Sequence, residues 1–212
     1  MNIKSVFVLV FLAIFNGCSN PQDANETNFK NSVQAYLDKE YPKCYYTENF
    51  PVTTEQMFSN EKLLRLLAKI GILTEKETGG KKHDVSKGWG FDKDKNMIPV
   101  YSYELTEEGR KYYTPEAETR MNGNKVGGFC FGKAKVSAID QFTEPSDMMG
   151  KKVSRVSFSY SVTGYPEWVK DDQVKSDIKG LKEDVESENN PKKEIMDLIL
   201  TNKGWVLERF LK

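Results

Sequence analysis

A single histidine, three cysteines and a formal net charge of zero narrow the chemistry open to this 212-residue chain. His83 stands in Gly79-Gly80-Lys81-Lys82-His83-Asp84, a loop composition, with no Ser or Cys nucleophile beside it. An exposed surface histidine is therefore expected rather than a general base. No G-x-S-x-G, H-E-x-x-H or G-x-x-x-x-G-K-[ST] segment occurs, so no esterase elbow, zinc-protease helix or phosphate loop is signalled. Nothing in the spacing of the carboxylates singles out a catalytic pair. The 31 Lys and Arg are balanced by 31 Asp and Glu, and counterion release on nucleic acid needs a basic surplus. Long apolar runs are also missing. The longest, residues 6–15, has 10 residues, whereas a spanning helix takes ~20. What is present is aromatic: 12 Phe, 10 Tyr and 3 Trp mark an ordered chain of one domain or two small ones.

Lys4 precedes the apolar run, and Gly17 and Ser19 flank Cys18, the layout of a secretion signal. Phe15-Asn16-Gly17-Cys18 resembles the bacterial lipoprotein signal, in which a small residue precedes a cysteine that is acylated and becomes the first mature residue. That resemblance implies lipidation at Cys18, a leader at 1–17 and a mature chain of 195 residues. Ser19, where an Asp would signal inner-membrane retention, implies the periplasmic side of the Gram-negative outer membrane. An ordinary signal peptide cleaved nearby is the alternative. The polar stretch 18–28 reads as a flexible tether.

If Cys18 carries lipid, Cys44 and Cys130 remain for an oxidising compartment, and a disulfide between them is expected. It would close a loop worth about 4–5 kcal/mol in the chain-entropy model. Two separate buried thiols are the alternative, and no metal site or cofactor is expected.

Phe29, Val33, Tyr36 and Leu37 recur at helical spacing, with Thr27 or Asn28 as cap and Tyr41-Pro42 as the stop. Residues 43–46 read as a short strand carrying Cys44. A short helix is expected over 54–58, then Ser59 as cap, a helix over 61–70 rich in Leu, and a stop at Gly71. Residues 72–74, a Gly- and Lys-rich stretch over 78–94, a strand over 100–105 and the helical phrase 105–113 follow. This order of "L..L...GIL", wing and "YELTEEGRKYY" resembles a winged-helix module over about 59–113. Such modules usually bind DNA. Here the helix that would read bases offers only Lys62, Arg65 and Lys69, so a structural or protein-contact use is expected and no nucleic acid.

From Val126 the periodicity becomes two. One strand is expected from there to Phe142, a turn over 146–150, and a second strand over 153–162, the two strands pairing as a long hairpin. Val174, Ile178, Leu181 and Val185 predict one amphipathic helix, and residues 195–211 a terminal hairpin. The expected fold class is α+β: a helix-rich, winged-helix-like segment over 29–115, then an antiparallel sheet of two hairpins with one packed helix over 116–212.

Asp92-Lys93-Asp94-Lys95-Asn96 matches the first positions of a calcium loop, but Met97 and Tyr103 stand where Gly and a bidentate acid are needed, so a solvated turn is expected. Trp168 and Trp205 read as buried anchors. Trp89, between two glycines, is a candidate hot spot, and with Phe91 and His83 forms the expected partner-binding surface. The phrases "LTEEGR", "FCFGKAKV", "YPEWV" and "LTNKGWVL" resemble small Gram-negative envelope lipoproteins, and more weakly periplasmic carbapenem intrinsic-resistance proteins. The resemblance implies a lipid-anchored accessory protein that binds an envelope protein in an inhibitor, immunity or resistance type role, without catalysis. A periplasmic small-ligand carrier or hydrolase, with a pocket between the sheet and the helix 174–185, is the alternative.

Overall fold

The computed structural model describes residues 20–55, 60–84 and 96–210. They form an α+β architecture of five α-helices and three antiparallel sheets. The first helix, α1 (Glu26–Glu40), buries Phe29, Val33 and Leu37 almost completely on one face. Its cap is Asn25, whose side chain accepts from the Asn28 backbone N–H at 2.9 Å. Asn28, one of the expected caps, is turned inward instead. Its Nδ2 donates to the carbonyls of Asn20 (2.8 Å) and Asp23 (2.9 Å). The expected tether is thereby folded against the body from residue 20 onward, and residues 18 and 19 lie outside the described residues.

Next come β1 (Lys43–Thr47), β2 (Val52–Thr53), α2 (Glu61–Lys69), β3 (Leu73–His83), β4 (Met97–Leu105), the one-turn helix α3 (Glu107–Arg110), β5 (Tyr113–Thr119) and β6 (Lys125–Phe131). Thr54 and Glu55 form a turn, and residues 56–59, with the expected cap Ser59, lie outside the described residues. Entry into α2 is through Asn60 in the left-handed region, without a side-chain cap. The Gly- and Lys-rich stretch is strand as far as His83, because β4 pairs along it with a bulge between Glu77 and Lys81. Helix α3 is shorter than expected. Thr106 Oγ1 caps it by accepting from Gly109 N–H at 3.0 Å, and the chain then turns into β5, which pairs with β6. Strands β2-β4-β3 form one sheet and β1-β6-β5 another.

The second half contains β7 (Lys133–Phe142), β8 (Ser146–Met148), β9 (Lys151–Thr163), α4 (Asp172–Asp177), α5 (Leu181–Glu186), β10 (Lys192–Thr201) and β11 (Gly204–Leu207). The long strand expected from Val126 is two strands in two sheets. Gly132 breaks it at φ 92°, and a Cβ there would sit 3.1 Å from Val162. The expected hairpin of β7 with β9 is present, as is the C-terminal pair β10 and β11. In place of the turn over 146–150, β8 pairs with β9 and only Met149 and Gly150 turn. These strands make a five-stranded sheet, β11-β10-β9-β7 with β8 also on β9.

Two cores result. One joins Leu63, Leu64 and Leu67 of α2 to Tyr103, Phe129 and Phe131, and to Val174, Ile178 and Leu181. The other joins Phe29, Val33 and Leu37 of α1 to Val136, Val156, Phe158, Val162, Leu198 and Trp205. The helix on the five-stranded sheet is thus α1. The single helix expected over 174–185 is two short ones separated at Gly180 (φ 77°), and their apolar residues belong to the core of α2. Trp205 is the buried anchor expected, packing edge-on to Phe29 at 5.0 Å, whereas Trp168 is only half-buried, edge-on to Phe129 and Phe131. Among the described residues, no helix is long and apolar enough to cross a membrane.

Candidate functional site

The seam between the cores carries the richest chemistry of the described residues. Lys43 and Tyr45 flank Cys44 on β1, where a bulge between Cys44 and Tyr46 interrupts the pairing with β6, and both reach the same partner. Their partner is Asp184 on α5, whose side chain is fully buried. Asp184 Oδ2 accepts from Tyr45 (2.8 Å), Lys43 (3.1 Å) and Tyr41 (3.2 Å), and Oδ1 accepts from Lys192 at 2.5 Å. Ser187 pins the same helix to β9: its Oγ donates to the Asp184 carbonyl and accepts from Val162 N–H at 2.8 Å.

Burial works against the charge on Asp184, but the hydrogen bonds from Lys192 and Tyr45 and the charges of Lys192 and Lys43 outweigh it. They hold the carboxyl below the usual aspartate range. Burial first, then the neighbouring hydroxyls and acids, pushes Tyr45 and Tyr41 well above an ordinary phenol. Burial and the bond to Glu194 do the same for Tyr160. These hydroxyls stay protonated and act as donors. With four donors already on it, Asp184 works as a clamp between α5, β1 and β10. A buried carboxylate is tolerated only when paired and hydrogen-bonded in this way.

Beside the clamp, a cavity of about 200 Å³ opens between α1 and the sheet, lined by Tyr36, Glu40, Lys43, Tyr160, Lys192 and Glu194 among others. Its walls carry both signs of charge. Lys43 and Lys192 keep part of their surface open, at 41% and 27% exposure.

Of the sites expected from sequence, Cys44 and Cys130 are brought together. They face each other across β1 and β6 and form a disulfide with an S–S distance of 2.00 Å. His83 is not the exposed loop residue expected but the half-buried last residue of β3, opposite Met97. Cys18, Trp89 and Phe91 lie outside the described residues, as do Asp92 to Lys95 of the calcium-like stretch. Among the described residues, no group of three or more His, Cys, Asp or Glu could hold a metal ion.

Comparison with family models, with curated proteins and with solved structures found no match.

Sequence reasoning missed the clamp. Its one local sign is Asp184, an acid three residues from Leu181 on a helix otherwise read by its apolar stripe. The partners stand 139 to 143 positions away on one side and eight on the other, and no spacing rule links them.

Proposed function

We propose that this chain is a lipid-anchored accessory protein of the Gram-negative envelope, on the periplasmic side of the outer membrane, that binds a protein partner without catalysis of its own. The observation that carries this reading is the form of β3. Residues 74–81 are all exposed although they lie in a strand, and among the described residues β3 pairs on one side only, with β4. Such a ribbon holds out unpaired backbone groups, which a partner strand can take up. The strand leads toward the stretch that carries Trp89 and Phe91, which with His83 we take as the contact residues for a partner in an inhibitor, immunity or resistance type role. The order β2, α2, β3, β4, with β4 between β2 and β3, supports reading 59–113 as a winged-helix-like segment. The leucines of α2 face the core, which favours protein contact over nucleic acid. The test is chemical cross-linking in the envelope followed by capture. Trp89→Ala is expected to lose the cross-linked partner at an unchanged melting temperature, and retention of the partner rejects this surface.

The cavity beside Asp184 favours a second reading, a small-ligand carrier or hydrolase, although it lies between α1 and the sheet and not, as expected, against the helix 174–185. A ligand at 100 times its Kd would stabilise the fold by ~2.7 kcal/mol, which thermal-shift screening of envelope metabolites detects.

A further inference from the structure

Two turns and the beginning of the described chain meet at one end of the five-stranded sheet. Val153 of β9 lies opposite Ile199 of β10, Lys151 follows the turn from β8, and Thr201 precedes the turn to β11. Both turns therefore project past the same end. The N-terminal segment lies against the second of them. Gln22 Nε2 donates to the Thr201 carbonyl at 3.2 Å, and Trp205 Nε1 donates to the Asp23 carbonyl at 3.1 Å. A Cβ on Gly204 would come within 2.8 Å of the Pro21 carbonyl oxygen. From Pro21 back to Cys18 is three residues, at most about 10–11 Å of extended chain.

The first turn has an unusual composition. Met149 and Gly150 both have positive φ, 50° and 76°, the geometry of a hairpin turn that favours Asn-Gly or Gly-Gly. A methionine in that position is strained, and at 99% exposure its side chain meets nothing among the described residues that offsets the strain. Met148 beside it is 55% exposed. Charges of both signs stand at this end of the sheet. Lys203, in the second turn, has no acidic partner among the described residues. Lys152 stands opposite Asp147, and Lys151 pairs with Glu208 at 2.7 Å.

We infer that this end of the sheet docks on a lipid bilayer, a surface that rests on the acylation of Cys18 proposed above. With residues 20–23 folded against this end, an anchor at Cys18 keeps it within about 10–11 Å of chain of the headgroups. The flexible, apolar Met148 and Met149 enter the interface, and Lys152 and Lys203 face the lipid phosphates. The acyl groups on Cys18 supply the anchoring, and the exposed methionines fix which end of the body faces the bilayer.

The test uses the full chain recovered from membranes, with Met149→Cys or, as a control, Met121→Cys. Met121 is fully exposed between β5 and β6, in the sheet that joins β7 and β9 at their other end, Lys133 and Thr163. With Cys18 acylated and Cys44–Cys130 oxidised, the introduced cysteine is the one free thiol and takes an environment-sensitive fluorophore. In vesicles of phosphatidylethanolamine and phosphatidylglycerol, the label at 149 is expected to shift to the blue and to be several-fold less quenched by iodide than the label at 121. Equal quenching at both positions, with acyl groups seen in the intact mass, overturns docking and leaves the anchor standing. A mass without acyl groups overturns the anchor and the docking that depends on it.

Discussion

The Tyr45 hydroxyl donates to Asp184 Oδ2 at 2.8 Å, joining a β1 side chain to a helix 139 residues away. Three further donors converge on the same carboxylate, so Asp184 holds together elements that belong to both cores. Removing it leaves Lys43 and Lys192 without their counter-charge. Asp184→Ala is expected to destabilise by on the order of 3 kcal/mol, read as a lower urea midpoint. Lys43→Met should cost no more than about 1 kcal/mol, because Lys43 is 41% exposed and solvent screens its pair.

Acid should act through the same residue. The Asp184 carboxyl titrates below the ordinary aspartate value of 3.8 in the folded chain, so the unfolded state takes up its proton first and acid favours unfolding. The stabilisation is complete above the unfolded value and is lost as pH falls through the folded one. Urea midpoints measured from about pH 5 down to about pH 2 should fall more steeply for the native chain than for Asp184→Asn. Parallel curves would show that other carboxylates carry the acid response.

The Cys44–Cys130 disulfide, at a sequence separation of 86, ties β1, which carries Lys43 and Tyr45, to β6. Reduction, or the Cys44→Ser and Cys130→Ser double variant, is expected to cost about 2–5 kcal/mol. Differential scanning calorimetry with and without reductant measures this. The double variant should show no further response to reductant.

At Met149 the left-handed backbone points the opposite way. Met149→Asn places a residue that tolerates this conformation in the turn and should raise stability by on the order of 1 kcal/mol. A gain in melting temperature accompanied by weaker membrane docking would separate the fold's interest in this position from its surface role. A loss of stability would show that the methionine packs in a way its exposure does not reveal.

Much of the architecture was legible in short-range spacing. The burial stripe of α1, the Leu-rich α2, the pairing of β7 with β9 and the C-terminal hairpin all follow from apolar residues three to four, or two, apart. Strand β5 was not legible, because Tyr-Thr-Pro-Glu-Ala-Glu-Thr has no alternation and is mostly exposed. The break at Gly132 was hidden inside a continuous period-two pattern. It becomes visible only as a left-handed φ in contact with Val162.

The amino-acid sequence by itself determined the α+β class and most helices and strands, and it made a Cys44–Cys130 pairing an expectation that the structure bears out. Each of these depends on periodicity along the chain or on the count of one residue type. Tertiary structure decided which helix covers the sheet, since α1 and the segment carrying α4 and α5 are both amphipathic and either could fill that role. It also turned the expected tether into a docked segment, through hydrogen bonds from Asn28 and Trp205 to carbonyls of residues 20 and 23. Above all it assembled the Asp184 clamp, because a buried charge is stable only where donors remote in sequence are brought within hydrogen-bond reach at once.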